Sequence, residues 1–420
     1  MLESAMEQLL DLPHVRVTKV EQTTDGSYRI TIESTLPSTT CRKCGRRITT
    51  PHASDDWVTL PHLPILGHRV FLQLRPKRFR CFFCADTPTT TQALSWYRPR
   101  SPFTKALEEN LLRQCVHQTL VDVCLRAGVP YDAREGVLDH YLTTTVDWAS
   151  FARLDTLGID ELALRKGHRA FVVLITSRQP DGQVRVITVL PNRERITVEP
   201  FLKHIPYRLQ RTVTAACSDM YEGFLGAIEA VFGADVIVID RFHVARHYRD
   251  AADDVRKSEM KRLKKAHSKT VYGLLKGAHW LFRKRHSELT RAEADVLACV
   301  FAAAPSVKQA YDLRNALTAI FDAPLTKEEA TRQLQAWMQR VQESGMDAFD
   351  RFLAMLTTHL DGITNYFHHR ANSGFVEGIN TKARVLTRRC YGIFNLRHFF
   401  QRLTLDVEGA AAVTRCMAPH

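Results

Sequence analysis

The spacing of apolar and polar residues changes character along the chain. From about residue 14 to 100 it runs in short alternations. VRVTKVEQ (15–22) and YRITIES (28–34) flank Asp25-Gly26, which predicts a β-hairpin, and HRVFLQLR (68–75) alternates again. SWYRPRSP (95–102) holds two prolines and reads as a linker. Across 103–145 apolar residues fall at helical spacing in TKALEENLLRQCVHQ, TLVDVCLRAG and AREGVLDHYL. Gly128 and Pro130 stop one helix, and the next is expected near Tyr131–Asp132, a helix-turn-helix pattern.

From residue 153 the period returns to two. DTLGID, AFVVLIT and VRVITVL are strand runs, with Asp181-Gly182 in the turn between the last two. A helix (VEPFLKHIPYRL), a strand (TVTAACSD), a helix (YEGFLGAIEAVF) and the strand DVIVID follow. Three antiparallel strands and then this alternation predict an α/β fold, matching the first two-thirds of a ribonuclease H-like domain. The rest reads as helical. Thr290/Glu293 and Thr326/Glu329 have capping-box spacing, and Ala330, Leu334, Trp337 and Val341 share one helix face. The expected organisation is therefore a β-rich module (1–100), a helix-turn-helix (101–150), the first part of an α/β catalytic domain (151–258), an all-helical insertion (259–358) and the last part of the catalytic domain (359–420).

Charge narrows the partners. The chain carries +13 with an isoelectric point near 9.4, and residues 241–290 hold 14 Lys and Arg against 5 acids. Such basicity suits a polyanion, because cations that neutralise phosphates release condensed counterions. No run approaches the ~20 apolar residues of a membrane span, and the start lacks a basic signal region. A cytoplasmic protein, nucleoid-associated when on DNA, is expected.

Among ten cysteines, Cys41-x-x-Cys44 and Cys81-x-x-Cys84 form two tight pairs. Four thiolates complete the tetrahedral shell of one structural zinc ion. Alternatives are two unrelated thiol pairs or a redox centre. The 36-residue spacer is accommodated if strands run out and back between the pairs. Nearby Arg42, Lys43, Arg46, Arg47, Lys77, Arg78 and Arg80 are candidate phosphate contacts, and Arg134 is a candidate base reader on the second helix of the helix-turn-helix.

The candidate chemistry lies in carboxylates. Asp160 is expected to end the first strand of the α/β sheet and Asp219 the fourth, where ligands gather in open sheets. Hard oxygen ligands so placed suit magnesium or manganese. Residues 370–402 hold seven Arg or Lys and a single acid, Glu377, the candidate third ligand. Ser373 can cap its helix, and Asn380 or Thr381, Arg384 and Arg388 share its face. Glu161 should point to the opposite face of the strand from Asp160. Asp240 is an alternative ligand, and His243 reads as a plain helix residue in preference to a group supporting the site.

The ordered set CRKCG with FRCFFC, GIDELALRKGHR, CSDMYEGF, VIDRFHVARH and SGFVEGINTKARVLTRRCYGIFNLRHFFQRL resembles the ISL-three family of bacterial insertion-sequence transposases over nearly the whole chain. The resemblance implies a zinc ribbon and helix-turn-helix that bind the element's terminal inverted repeats. It also implies a ribonuclease H-like domain with the triad Asp160, Asp219 and Glu377. Two magnesium (or manganese) ions would sit there, cutting and joining double-stranded DNA, with Lys382, Arg384, Arg388 and Arg389 on the DNA and a homodimer on paired ends. A nuclease or resolvase without strand transfer and a non-catalytic DNA-binding regulator are the other readings.

Overall fold

The computed structural model describes residues 2–164, 171–266, 269–370 and 374–418. They divide into two compact units, 1–143 with 404–420, and 144–403.

In the first unit, α1 (Leu2–Leu10) leads into β1 (Val15–Gln22), β2 (Tyr28–Ser34), β3 (Thr39–Thr40), β4 (Arg47–Ile48), β5 (Pro51–Ser54), β6 (Val58–Ile65), β7 (His68–Leu74), β8 (Lys77–Arg80) and β9 (Thr89–Thr91). β1 and β2 form the expected hairpin within a sheet ordered β1-β2-β7-β6. Alternate side chains Ile30, Ile32, Leu60, Val70, Leu72 and Leu74 turn to one face and are buried with Met6 and Leu10. The smaller sheets β3-β4 and β5-β8-β9 carry the cysteine pairs, so strands do run out and back across the spacer.

The segment 95–102 is no free linker. Trp96 is buried in the same core, and both Ser101 Oγ (2.5 Å) and Arg98 (2.7 Å) donate to the fully buried Glu108. Two prolines limit the backbone, but Trp96, Arg98 and Ser101 around them anchor it. The helices α2 (Lys105–Gln114), α3 (Leu120–Ala127) and α4 (Tyr131–Tyr141) follow. Thr104 and Thr119 cap α2 and α3, and Gly128 ends α3 with φ +63°, a conformation that disfavours any side chain.

The second unit is built on β10 (Asp155–Ala163), β11 (Phe171–Arg178), β12 (Val184–Leu190), α5 (Arg195–Lys203), α6 (Tyr207–Gln210), β13 (Val213–Ser218), α7 (Glu222–Phe232), β14 (Ile237–Ile239) and α8 (Arg241–Ala266). Its sheet is ordered β12-β11-β10-β13-β14. β11 runs antiparallel to both of its neighbours, β12 and β10, and β13 and β14 run parallel to β10. β10 continues three residues past Asp160, so that aspartate is not at the strand's end as the sequence suggested. Its pairing with β11 extends to Ala163↔Phe171, which holds the extra residues in the ladder.

Helices complete this unit: α9 (Lys269–Gly277), α10 (Arg291–Ala303), α11 (Pro305–Asp322), α12 (Lys327–Glu343), α13 (Asp350–Thr358), α14 (Leu360–His369), α15 (Gly374–Arg389) and α16 (Leu396–Glu408). Both expected capping boxes form, at Thr290/Glu293 and Thr326/Glu329. Ala330, Leu334, Trp337 and Val341 are all buried, and Trp337 Nε1 donates to the Leu313 carbonyl at 2.9 Å. After Leu403 the chain returns to the first unit. Leu405 and, on α17 (Ala410–Met417), Ala412 and Val413 join the core of α2, α3 and α4. The sequence had assigned 359–420 wholly to the α/β domain; burial of this apolar face against α2 moves its last residues elsewhere. No helix among the described residues is long and apolar enough to cross a membrane.

Candidate active site

Strand register aligns the carboxylates. Gly158 pairs with Cys217 across β10 and β13, and Ser218 pairs with Ile239 across β13 and β14. Continuing along each strand puts Asp160, Asp219 and Asp240 in one row at neighbouring positions. Adjacent strands lie roughly 4.8 Å apart, and neighbours on parallel strands share a face. Burial, with the Asp219 charge adding to it, pushes the Asp160 carboxyl above its ordinary range. The Glu161 N–H (2.8 Å to Oδ1), the His243 charge and the Asn380 amide (Nδ2 to Oδ2, 2.5 Å) work the other way.

Asp219 Oδ1 accepts from the Tyr221 N–H at 3.0 Å, which leaves its other oxygen for a ligand. Asp240 is more deeply engaged: its Oδ1 accepts from the Phe242 N–H at 2.9 Å at the start of α8, and its Oδ2 lies 3.9 Å from His243 Nε2. The His243 ring thus faces Asp240 from the first turn of α8. Glu161 is turned to Arg193, paired at 2.9 Å, and that guanidinium also stacks 4.6 Å from the Tyr221 ring.

The third acid comes in on α15. A Cβ on Gly158 would meet Val376 Cγ2 at 2.4 Å, Thr176 Oγ1 at 2.8 Å and Phe375 Cε2 at 3.0 Å. Only a glycine lets the first turn of α15 lie this close to β10, two residues from Asp160. Val376, Ile379, Asn380, Ala383 and Leu386 are buried, whereas Glu377, Thr381, Arg384 and Arg388 form the exposed stripe. Asn380 therefore leaves the face the sequence gave it beside Glu377 and turns inward to Asp160. Glu377 stands three residues, about 4.5 Å along the axis and just under one turn, from Asn380. The oxygens of Asp160, Asp219 and Glu377 are not drawn within 4.8 Å of one another. Ser373 lies outside the described residues, as does part of the GIDELALRKGHR motif beyond Leu164.

The four paired cysteines do converge. Their sulfurs all lie within 4.8 Å of one another, with Cys44–Cys81 and Cys81–Cys84 each at 3.7 Å, and none is in a disulfide. In the first turn the Cys41 N–H donates to Arg46 O and the Gly45 N–H returns to Cys41 O. Backbone N–H groups of Cys44 and Lys43 lower the Cys41 thiol to about 6, while burial pushes Cys84 up to about 12.

The candidate DNA contacts divide. Arg42, Lys43, Arg46 and Arg47 are exposed around the first cysteine pair, where Lys43 pairs with Asp86 and Arg46 stacks on Phe83. Lys77, Arg78 and Arg80 are half-buried, and Arg78 is tied to Thr89 and Asp55. Lys382, Arg384 and Arg388 are exposed on α15, and Arg389 is half-buried. Arg134 is a correction. It is 1% exposed, and its guanidinium donates to the Leu120 carbonyl, Cys124 Sγ (3.1 Å) and Cys115 Sγ (3.4 Å). It shares the inward face of α4 with Val137 and Leu138 and has no access to a base. On that helix Asp132 is exposed instead, with Glu135 and Asp139 half-buried.

Residues 157–403, which hold all these carboxylates, match the family model described as "Transposase" for ISL-three elements. The chain belongs to the ISL-three family of DDE transposases. Over 411 residues this transposase is 26% identical to the transposase for insertion sequence element IS1001 of Bordetella parapertussis, covering 97% of this chain and 98% of that protein. It is 22% identical over 383 residues to the transposase for insertion sequence element IS1557 of Mycobacterium tuberculosis, covering 84% and 82%. It is thus an insertion-sequence transposase whose substrate is DNA. Sequence reasoning had passed over Gly158, and it had set Asn380 beside Glu377 without turning it toward Asp160. Gly158 carried no signal, since strand glycines have many causes. Asn380 had one, its i+3 spacing from Glu377.

Proposed function

We propose that this transposase binds the terminal inverted repeats of its element and cuts and joins DNA at a two-metal site held by Asp160, Asp219 and Glu377. The order β12-β11-β10-β13-β14, with the last two strands parallel to β10, supports a ribonuclease H-like reading of the catalytic unit. The observation that carries the proposal is the carboxylate row, in which Asp160 and Asp219 share one face while Glu377 stands a turn from the amide that bonds Asp160. These donors fit magnesium or manganese: all are hard oxygens, and a cation would relieve the repulsion between the half-buried Asp160 and Asp219.

When bound, the ions supply a deprotonated water and stabilise the departing oxygen of phosphoryl transfer. Asp160, at the centre of the site, would serve both ions, with Asp219 and Glu377 each holding one. The exposed Arg384 and Arg388 of α15 and the basic residues of 241–290 would hold the phosphodiester strand in line. At the element's end, water oxygen bonds to phosphorus as the P–O3′ bond breaks; the freed 3′-hydroxyl then attacks a target phosphorus, its proton leaving to solvent, as that phosphorus's own P–O3′ bond breaks and releases a target 3′-hydroxyl. Positioning and charge stabilisation account for most of the rate. The four cysteines would hold one structural zinc ion, since four sulfurs leave no position open for chemistry. α3 and α4 would serve as a helix-turn-helix, with contacts other than Arg134. Two ends must be joined together, so the active species is a homodimer. Cleavage of an end-bearing duplex in Mg2+ by Asp160→Asn, Asp219→Asn and Glu377→Gln tests the triad: each variant should lose cleavage and keep end binding, and full activity in any one removes that residue from it.

A further inference from the structure

Asn380 is 4% exposed and sits on the first turns of α15, three residues after Glu377. Its Nδ2 donates to Asp160 Oδ2 at 2.5 Å. A carboxylate can only accept here, so the amide orientation is fixed and Oδ1 is turned away from Asp160. That Oδ1 is buried and has no hydrogen-bond partner. Buried polar atoms are nearly always satisfied, so an orphaned oxygen on the residue that clasps Asp160 calls for a reason. Anchoring α15 to β10 needs only the N–H, and Gly158 against Val376 and Phe375 already supplies close packing there. Amide oxygens are ordinary ligands of hard cations.

We propose that Asn380 is a fourth side chain of the cation site, its N–H fixing Asp160 Oδ2 and its orphaned Oδ1 serving as an oxygen donor to the cation shell. This rests on the two-metal reading above and adds to it a neutral donor. A fourth carboxylate at this place would raise the repulsion within the Asp160 row, whereas an amide supplies an oxygen and a clasp without charge. Its position on α15 also joins the helix that carries Glu377 to the strand that carries Asp160. Cation binding and helix docking are then one event.

The test is Mn2+ binding to the full-length protein, followed by electron paramagnetic resonance, beside thermal unfolding with and without Mn2+. Asp160→Asn is the control: if it binds Mn2+ like the wild type, the carboxylate site itself is wrong. Given a wild type that binds and a control that does not, Asn380→Leu, of similar size, should weaken binding by roughly 10–100-fold. Asn380→Ala, which removes both atoms without bulk, should do the same if the leucine variant does not fold. Asn380→Asp restores an oxygen donor and should bind Mn2+ within about threefold of the wild type, because carboxylate and amide oxygens both serve as ligands of a hard cation. It places a second acid against Asp160, so Mn2+ should raise its unfolding midpoint more than it raises that of the wild type. Wild-type Mn2+ affinity in the leucine or alanine variant would overturn the proposal. So would an aspartate variant as weak as the leucine one.

Discussion

Gly158→Ala is the smallest change that should disable the site without touching a ligand. The new methyl would stand 2.4 Å from Val376 Cγ2, and ordinary contact begins at 3.4 Å, so the start of α15 must retreat by about 1 Å. Thr176 Oγ1 at 2.8 Å and Phe375 at 3.0 Å close the sideways escapes. Overpacking of this kind costs about 1–3 kcal/mol. At about 2–4 °C per kcal/mol for a unit of this size, the unfolding midpoint should drop by roughly 2–12 °C. The effect on rate should be larger, because a misplacement of about 1 Å in a reacting constellation can cost about 100-fold. The assay is joining of a labelled, pre-cut element end to a plasmid in Mg2+, below the variant's unfolding range, with end binding measured alongside. Val376→Ala alone removes two buried methyl groups and should cost roughly 2 kcal/mol. Combined with Gly158→Ala it opens the space the new methyl needs, so the double variant should be more stable and more active than the sum of the single losses predicts. Additive losses, or a Gly158→Ala enzyme that joins ends at the wild-type rate, would refute the claim that this contact sets the position of Glu377.

Asp160→Asn, with charge removed and shape kept, should reduce cleavage by at least about 1,000-fold while end binding stays within twofold, as read by gel shift. One zinc per chain is expected by atomic absorption; Cys81→Ser should abolish it and unfold the first unit's small sheets, as loss of ellipticity would show. His62 gives a pH signature. Burial lowers its ring to about 4 from 6.5, and its Nδ1 lies 2.9 Å from Thr104 Oγ1. Because the folded state resists the proton, its contribution is complete above about pH 6.5 and is lost as pH falls toward 4, by roughly 2–4 kcal/mol. His62→Gln should flatten that limb of the denaturation curve. Arg134→Leu orphans the Leu120 carbonyl and should cost about 1–3 kcal/mol, yet leave end-sequence preference unchanged once the protein is folded.

Much of this architecture can be read from local pattern. The β1–β2 hairpin, the two capping boxes, the stop at Gly128 and the twin cysteine turns each depend on residues within a few positions of one another, so short-range chemistry suffices. The failures are all long-range. Helical phase, set by Val137 and Leu138, points Arg134 inward; its positive charge had suggested the reverse. β10 runs past Asp160 because β11 pairs with it, which nothing near Asp160 announces. Residues after Leu403 pack on α2, some 300 positions earlier in the chain. At the site, the three acids were legible as types in context, since Glu377 is the lone acid in a basic stretch. Their alignment was not, because it arises from the registers Gly158↔Cys217 and Ser218↔Ile239.

The central claim concerns where hard cations bind, and anomalous diffraction at the manganese edge from crystals of the protein with its element end addresses it directly. Two peaks roughly 3.5–4 Å apart are expected, one oxygen of Asp160 reaching both, Asp219 and Glu377 each touching one. A single peak elsewhere, or two peaks that leave Glu377 uncoordinated, would contradict the account.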